Sequence, residues 1–174
     1  MSDAGERPAP SGRKGGSRRG AARLAAIQAL YQIELTEGSA EAVIEEFLNH
    51  RLHEDLDGLT LDDLDQALFR ALVRGVAKEA EQLDDMLSAV LAADWPIDRL
   101  ERILRVVLQV GTFELEHHES TPARVIITEY VALTNDFFLG KEPAMANGVL
   151  DRIARVLRPE EFPDAEDSPL EGLA

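Results

Sequence analysis

No cysteine occurs in this chain of 174 residues, which excludes disulfides, thiolate nucleophiles and cysteine-ligated zinc. Aromatic side chains make up 5% of the residues and tryptophan occurs once, so any core must be mainly aliphatic. Serine is scarce and no Ser/His/Asp spacing stands out. The longest apolar runs, such as VVLQVGTF, fall far short of the ~20 residues a membrane helix needs. The basic N-terminus leads into an amphipathic pattern rather than an unbroken apolar stretch with a cleavage site, so it does not read as a signal peptide. These absences fit a soluble, cytoplasmic protein with no membrane association.

Charge is abundant and unevenly placed. The formal net charge is -15, yet residues 1–23 carry six basic side chains against two acidic ones, +4, and the rest carries twelve against 31, -19. The basic part is RKGGSRRGAAR, residues 13–23. Glycine-spaced arginines suit a phosphate backbone, where each neutralised phosphate releases counterions. An acidic body repels a polyanion, so the arm alone should bind weakly; a basic protein partner would offset that repulsion.

The apolar pattern is helical throughout and predicts an all-α fold of six to seven helices in two packed sub-bundles meeting around residues 75–95. Residues 1–18 read as a disordered basic arm, 19–159 as the helical domain and 160–174 as a disordered acidic tail. Helix 1 carries Leu24, Ile27, Leu30, Tyr31 and Leu35 and closes at Gly38. Ser39 caps a second helix. Thr60 and Asp63 form a capping-box-like start to a stripe running to Val90, either one long helix or two meeting near Gly75. Asp94-Trp95-Pro96 interrupts. A helix from Leu100 ends in ELEHHES, Thr121-Pro122 opens the next, and the last runs from Pro143 until Pro159 ends it. Gly111 and Gly148, both within helices, suggest close helix crossings.

Chemistry of the enzymatic kind finds little support. Glu114 and His118 lie one helical turn apart, but a catalytic zinc needs three protein ligands, and His50 and His53 fall on another element. His117 and His118 fit a helix C-terminus, where the dipole favours positive charge. No glycine-rich phosphate loop follows a strand. The expectation is a non-enzyme without metal or cofactor. Arg19 and Arg23, four residues apart, extend the arm onto the first turn of helix 1, and Tyr31 offers a ring for an unstacked base.

Four segments carry a resemblance: ARLAAIQALYQIEL, LRVVLQVGTFEL, TPARVIITEYVAL and MANGVLDRIARVLRP. In this order, from residue 19 to about 159, they are similar to the NusB family of transcription antitermination factors. That resemblance implies a two-part helical protein that binds the boxA segment of ribosomal RNA transcripts together with the small-subunit ribosomal protein NusE, in the elongating RNA polymerase complex. It assigns RNA contact to Arg18, Arg19, Arg23, Tyr31, Met145 and Asn147, and partner contact to Tyr31, Gln109 and Glu114. The sequence departs from the family pattern at Gln109, where arginine is common, at Phe113, which replaces tyrosine, and at Met145, which replaces an aromatic ring near RNA. Glu129 is retained, as an ion-pair member or a functional group. Homodimerisation of the free protein stays open.

Two other readings compete. One is the RNA-recognition part of a ribosomal RNA cytosine methyltransferase, although only fifteen residues follow residue 159, too few for the catalytic domain. The other is a protein-only helical scaffold.

Overall fold

The computed structural model describes residues 17–51 and 64–163, and every regular element among them is helical. Helix α1 (Arg18–Thr36) starts at Ser17, whose hydroxyl accepts from Gly20 N at 3.0 Å, and ends at Glu37 in the left-handed conformation, φ 54°. Helix α2 (Ala40–Glu46) is capped by Ser39, as its sequence predicts, and runs into a π-helical turn, Phe47–Arg51. Helix α3 (Gln66–Val90) follows, then a 3₁₀ turn (Ile97–Arg99), α4 (Arg102–His117), α5 (Ala123–Phe137), α6 (Glu142–Leu157) and a last 3₁₀ turn (Pro159–Glu161).

Helix α4 is the axis of the fold. It packs against α1, α3, α5 and α6, and an unbroken run from Val106 to Leu115 on it is buried. One apolar cluster connects all six α-helices, so the α1–α3 and α4–α6 groups share a core. Alanines 22, 25, 26 and 29 line α1's buried face, which permits close approach, because a methyl group keeps neighbouring backbones near one another. Gly111 does the same on α4. A Cβ there would meet Leu150 Cδ2 at 3.1 Å and Tyr130 Cγ at 3.3 Å, so the expected close crossing is present.

Other details differ from the sequence reading. The described part of α3 begins at Gln66, with Asp65 Oδ1 accepting from Leu68 N at 3.0 Å; Thr60 and Asp63 lie outside the described residues. The irregularity in α3 is at Glu79 (φ -104°, ψ 15°), not Gly75. Gly75 instead makes room for the Phe113 ring, which a Cβ would overlap. Gly148 has open space beside it, so no helix crossing explains it. Thr121 does not cap α5 with its side chain. Its hydroxyl is buried without a partner, while Ala123 N donates to Glu161 Oε1 at 3.1 Å. That contact moves the C-terminal boundary: Glu161 and the buried Phe162 belong to the packed body, because Phe162 lies beneath Arg124 and Arg155. Likewise Arg18 belongs to α1 and Ser17 caps it. Residues 1–16 and 164–174 lie outside the described residues.

Candidate nucleic-acid interface

The head of α1 sorts its three arginines into two environments. Arg23 points inward and is 2% exposed. Its Nε and Nη2 donate to Glu114 Oε2 and Oε1 at 2.9 and 2.7 Å, and Nη1 lies 3.9 Å from Glu129 Oε2. Tyr130 Oη donates to Glu114 Oε2 at 2.6 Å. Burial tends to lower the Arg23 pKa, but the hydrogen bonds and charge of Glu114 outweigh it and the net shift is upward. Burial, reinforced by Glu114, raises the Tyr130 phenol well above its ordinary value, so it remains a donor.

This geometry corrects three sequence assignments. Arg23 cannot reach RNA, because its guanidinium is enclosed and spent on Glu114. Glu114 is fully buried and offers no face to a protein partner; the four hydrogen bonds its carboxylate accepts also leave it unsuited to share a metal with His118. Gln109 is 4% exposed, and its amide donates to Asp84 Oδ1 at 2.8 Å, beside the Arg105–Asp84 ion pair. Helical periodicity gives no sign that these polar residues turn inward; their burial, matched by internal partners, is what the sequence pattern hides.

Arg18 is exposed and Arg19 half-buried at the head of α1. Together with Leu64, Asp65 and Gln66 they line a groove of about 510 Å³ where the heads of α1 and α3 meet. Arg18 Nη2 makes a marginal contact of 3.5 Å with Leu64 O, and Arg19 Nε is enclosed without a partner. Neither arginine forms an ion pair within 4 Å among the described residues. His118 is nearby, and its pKa is lowered, first by burial, with Arg19 among the neighbouring charges that add to the effect.

The remaining assigned residues stand apart from this groove. Tyr31 is half-buried on α1, twelve residues beyond Arg19 and so about 18 Å along the helix. Met145 is half-buried and Asn147 exposed near the start of α6, and neither lines the groove. Sequence reasoning missed Leu64, Asp65 and Gln66. The Asp-Gln pair just before the apolar run ALFRALV was the available signal, because an aspartate cap there starts α3 at Gln66. Glu79, Glu116 and His117 also bring ligating atoms within 4.8 Å of one another; His117 Nε2 lies 2.9 Å from Glu79 Oε2, an arrangement that a surface ion pair at a helix end explains.

Comparison with known proteins settles the ancestry of this framework. The family model for the NusB family matches residues 20–155, most of the chain. The chain belongs to the NusB family. It is 44% identical over 156 residues to the transcription antitermination protein NusB of Rhodopseudomonas palustris (strain BisB18), covering 90% of this chain and 92% of the relative. The NusB of Bradyrhizobium diazoefficiens is 41% identical over 162 residues, covering 93% and 98%. Among solved structures, T. maritima NusB superposes with a TM-score of 0.69 at 28% identity, over 83% of this chain and 96% of that one. The NusB fold is also matched in a crystal structure of the antitermination factors NusB and NusE in complex with dsRNA, TM-score 0.65 at 23% identity, covering 80% and 97%.

Proposed function

We propose that the protein is a non-enzymatic transcription antitermination factor that holds boxA RNA and the ribosomal protein NusE together within the elongating RNA polymerase complex. The observation that carries this reading is membership of the NusB family across residues 20–155, with relatives above 40% identity named transcription antitermination proteins. The sorted arginines supply a means. Arg18 and Arg19 remain available to phosphate at the positive end of α1, and Arg23 fixes that end against α4 and α5.

Two such arginines on a strongly acidic chain bind a polyanion weakly and in a salt-sensitive way. A basic partner on the acidic surface extends the positive path and places RNA contacts from both proteins at high effective concentration. The mechanism is therefore joint binding, with no bond made or broken and no cofactor required.

A gel-shift titration of boxA RNA, with and without NusE, tests the reading. The expected result is a marked gain in RNA affinity when NusE is present. Equal affinity in both series would overturn joint binding, and RNA retention unchanged by R18A/R19A would favour the protein-only scaffold.

A further inference from the structure

The groove at the heads of α1 and α3 contains more than a phosphate needs. Two helices direct their N-termini into it, tied together where Asp65 N donates to Arg18 O at 3.0 Å. Neither helix has an acidic residue inside its first turn; Asp65, the N-cap of α3, offsets the partial positive charge of that end, while the end of α1 is capped only by the neutral Ser17. Arg18 adds a cation at the rim. Arg19 adds another, with its Nε enclosed and unpartnered, a donor aimed at nothing the described residues provide. Asp65 is the one carboxylate among the lining residues, and one of its oxygens is occupied in capping Leu68 N.

Phosphate alone would leave two features unused. The first is the lining itself: the groove is open and is shared by the heads of both helices, with Arg18 and Arg19 on one side and Asp65 and Gln66 on the other. The second is Gln66, a lining residue whose amide makes no hydrogen bond among the described residues. A glutamine amide offers a donor and an acceptor in one plane, the pattern that matches the edge of a nucleobase. Single-stranded RNA is read by splaying bases out of the stack.

We infer that this groove is a pocket for one splayed nucleotide of the bound RNA, its phosphate held by Arg18 and Arg19 and its base edge read by Gln66. The free oxygen of Asp65 favours a base amino group and repels a second phosphate, so the pocket takes a single nucleotide unit. This inference rests on the RNA-binding reading above and specifies where that RNA is read by its bases.

The test is a fluorescence anisotropy titration of the full chain with boxA RNA and with a series in which each base in turn is removed to leave an abasic site. For the unaltered protein, one position should cost about tenfold in affinity. In Q66A, that cost should shrink at that position only, with an unchanged salt slope, and thermal melts should confirm that Q66A folds. An abasic profile identical in Q66A and the unaltered protein would overturn the nucleotide pocket and leave RNA binding intact. RNA retention unchanged in R18A/R19A would overturn the RNA reading itself. To separate a free ligand from RNA, the Gln66 side-chain amide resonance is followed during titration with cytidine or adenosine monophosphate and with inorganic phosphate. Movement with the nucleotides alone supports the pocket, and equal movement with phosphate overturns it.

Discussion

Arg23 and Glu114, 91 residues apart in sequence, form a two-pronged ion pair that water does not reach, with contacts from 2.7 to 3.2 Å. Tyr130 closes the network from α5. Removing one partner of such a pair strands a buried charge, so E114A should lower the unfolding free energy by about 3–5 kcal/mol. Replacing the whole network with apolar groups, as in R23L/E114L/Y130F, should recover most of that loss, since no polar atom is then left unpaired. Urea denaturation of the three proteins decides it. A cost below about 1 kcal/mol for E114A would mean the site is solvated.

Gly75 and Gly148 should respond to alanine in opposite directions. At Gly75 the new methyl overlaps Phe113, a ring packed in the core, and overpacking of this kind costs about 1–3 kcal/mol; F113L in the same chain should relieve part of it. At Gly148 nothing lies within 4 Å, so G148A should stabilise α6 by about 0.4–1 kcal/mol through reduced freedom of the unfolded chain. Thermal melts suffice for both. If RNA affinity falls in G148A while stability rises, the glycine beside exposed Asn147 is kept for a ligand rather than for packing.

Much of the architecture was legible because helical periodicity reports which residues turn inward. The stripes on α4 and α6, the Ser39 cap and the Gly111 crossing follow from local chemistry alone, whereas on α1 only Ile27 and Leu30 of the expected stripe are buried: Leu35 is 53% exposed, and alanines form most of the contact face. Periodicity does not report what a buried polar group pairs with. Arg23, Gln109 and Glu114 carry charge or polarity that suggests exposure, and their partners come from distant segments, so their burial became visible only in three dimensions. The same holds for α5: Thr121-Pro122 looks like a self-capping start, yet the N–H of Ala123 is satisfied by Glu161. Arg18 and Arg19 were readable as cations at the head of α1, whereas the groove they line depends on α3 arriving beside them.

His118 gives the fold a defined response to acid. Its folded pKa lies below the ordinary value, through burial and then, among the charges that push the same way, Arg19. The unfolded chain therefore takes up the proton first as pH falls. The sign follows: His118 contributes no penalty above the ordinary imidazole range, and stability is lost as pH falls through 6.5 towards the lower folded value. Denaturant midpoints measured from pH 7.5 to 5 should fall less steeply in H118Q than in the unaltered protein. Parallel curves would show that His118 is solvated in the native state.

Arg18 and Arg19 should act on RNA through charge. Each phosphate contact contributes about 0.7 to the slope of log affinity against log salt for single strands. R18A and R19A should each reduce that slope by up to this amount and weaken binding across sequences, without lowering stability appreciably. R23A should instead unfold more readily, and its remaining folded fraction should keep the full slope. Anisotropy titrations from 50 to 300 mM salt, paired with melts, separate the two behaviours.

Arg158 is the second enclosed arginine, 3% exposed, and it has a different task. Its Nε donates to Leu115 O at 2.8 Å, Nη1 to Thr121 O at 2.6 Å and Nη2 to His118 O at 2.8 Å, while Glu161 lies 3.2 Å from Nη1. One side chain thus satisfies carbonyls that α4 leaves open at its C-terminus and along the turn into α5, a need every helix end has. In R158A the buried carbonyls of Leu115 and Thr121 lose this donor, at about 1–3 kcal/mol each, while His118 O keeps the Thr121 N–H, so the variant should lose several kcal/mol. R158K should recover little, because a single ammonium cannot span three carbonyls held in a planar fork. Amide exchange should rise first in residues 115–123, ahead of global unfolding. Uniform exchange across α4, α5 and α6 would show instead that the turn and the helices open as one unit.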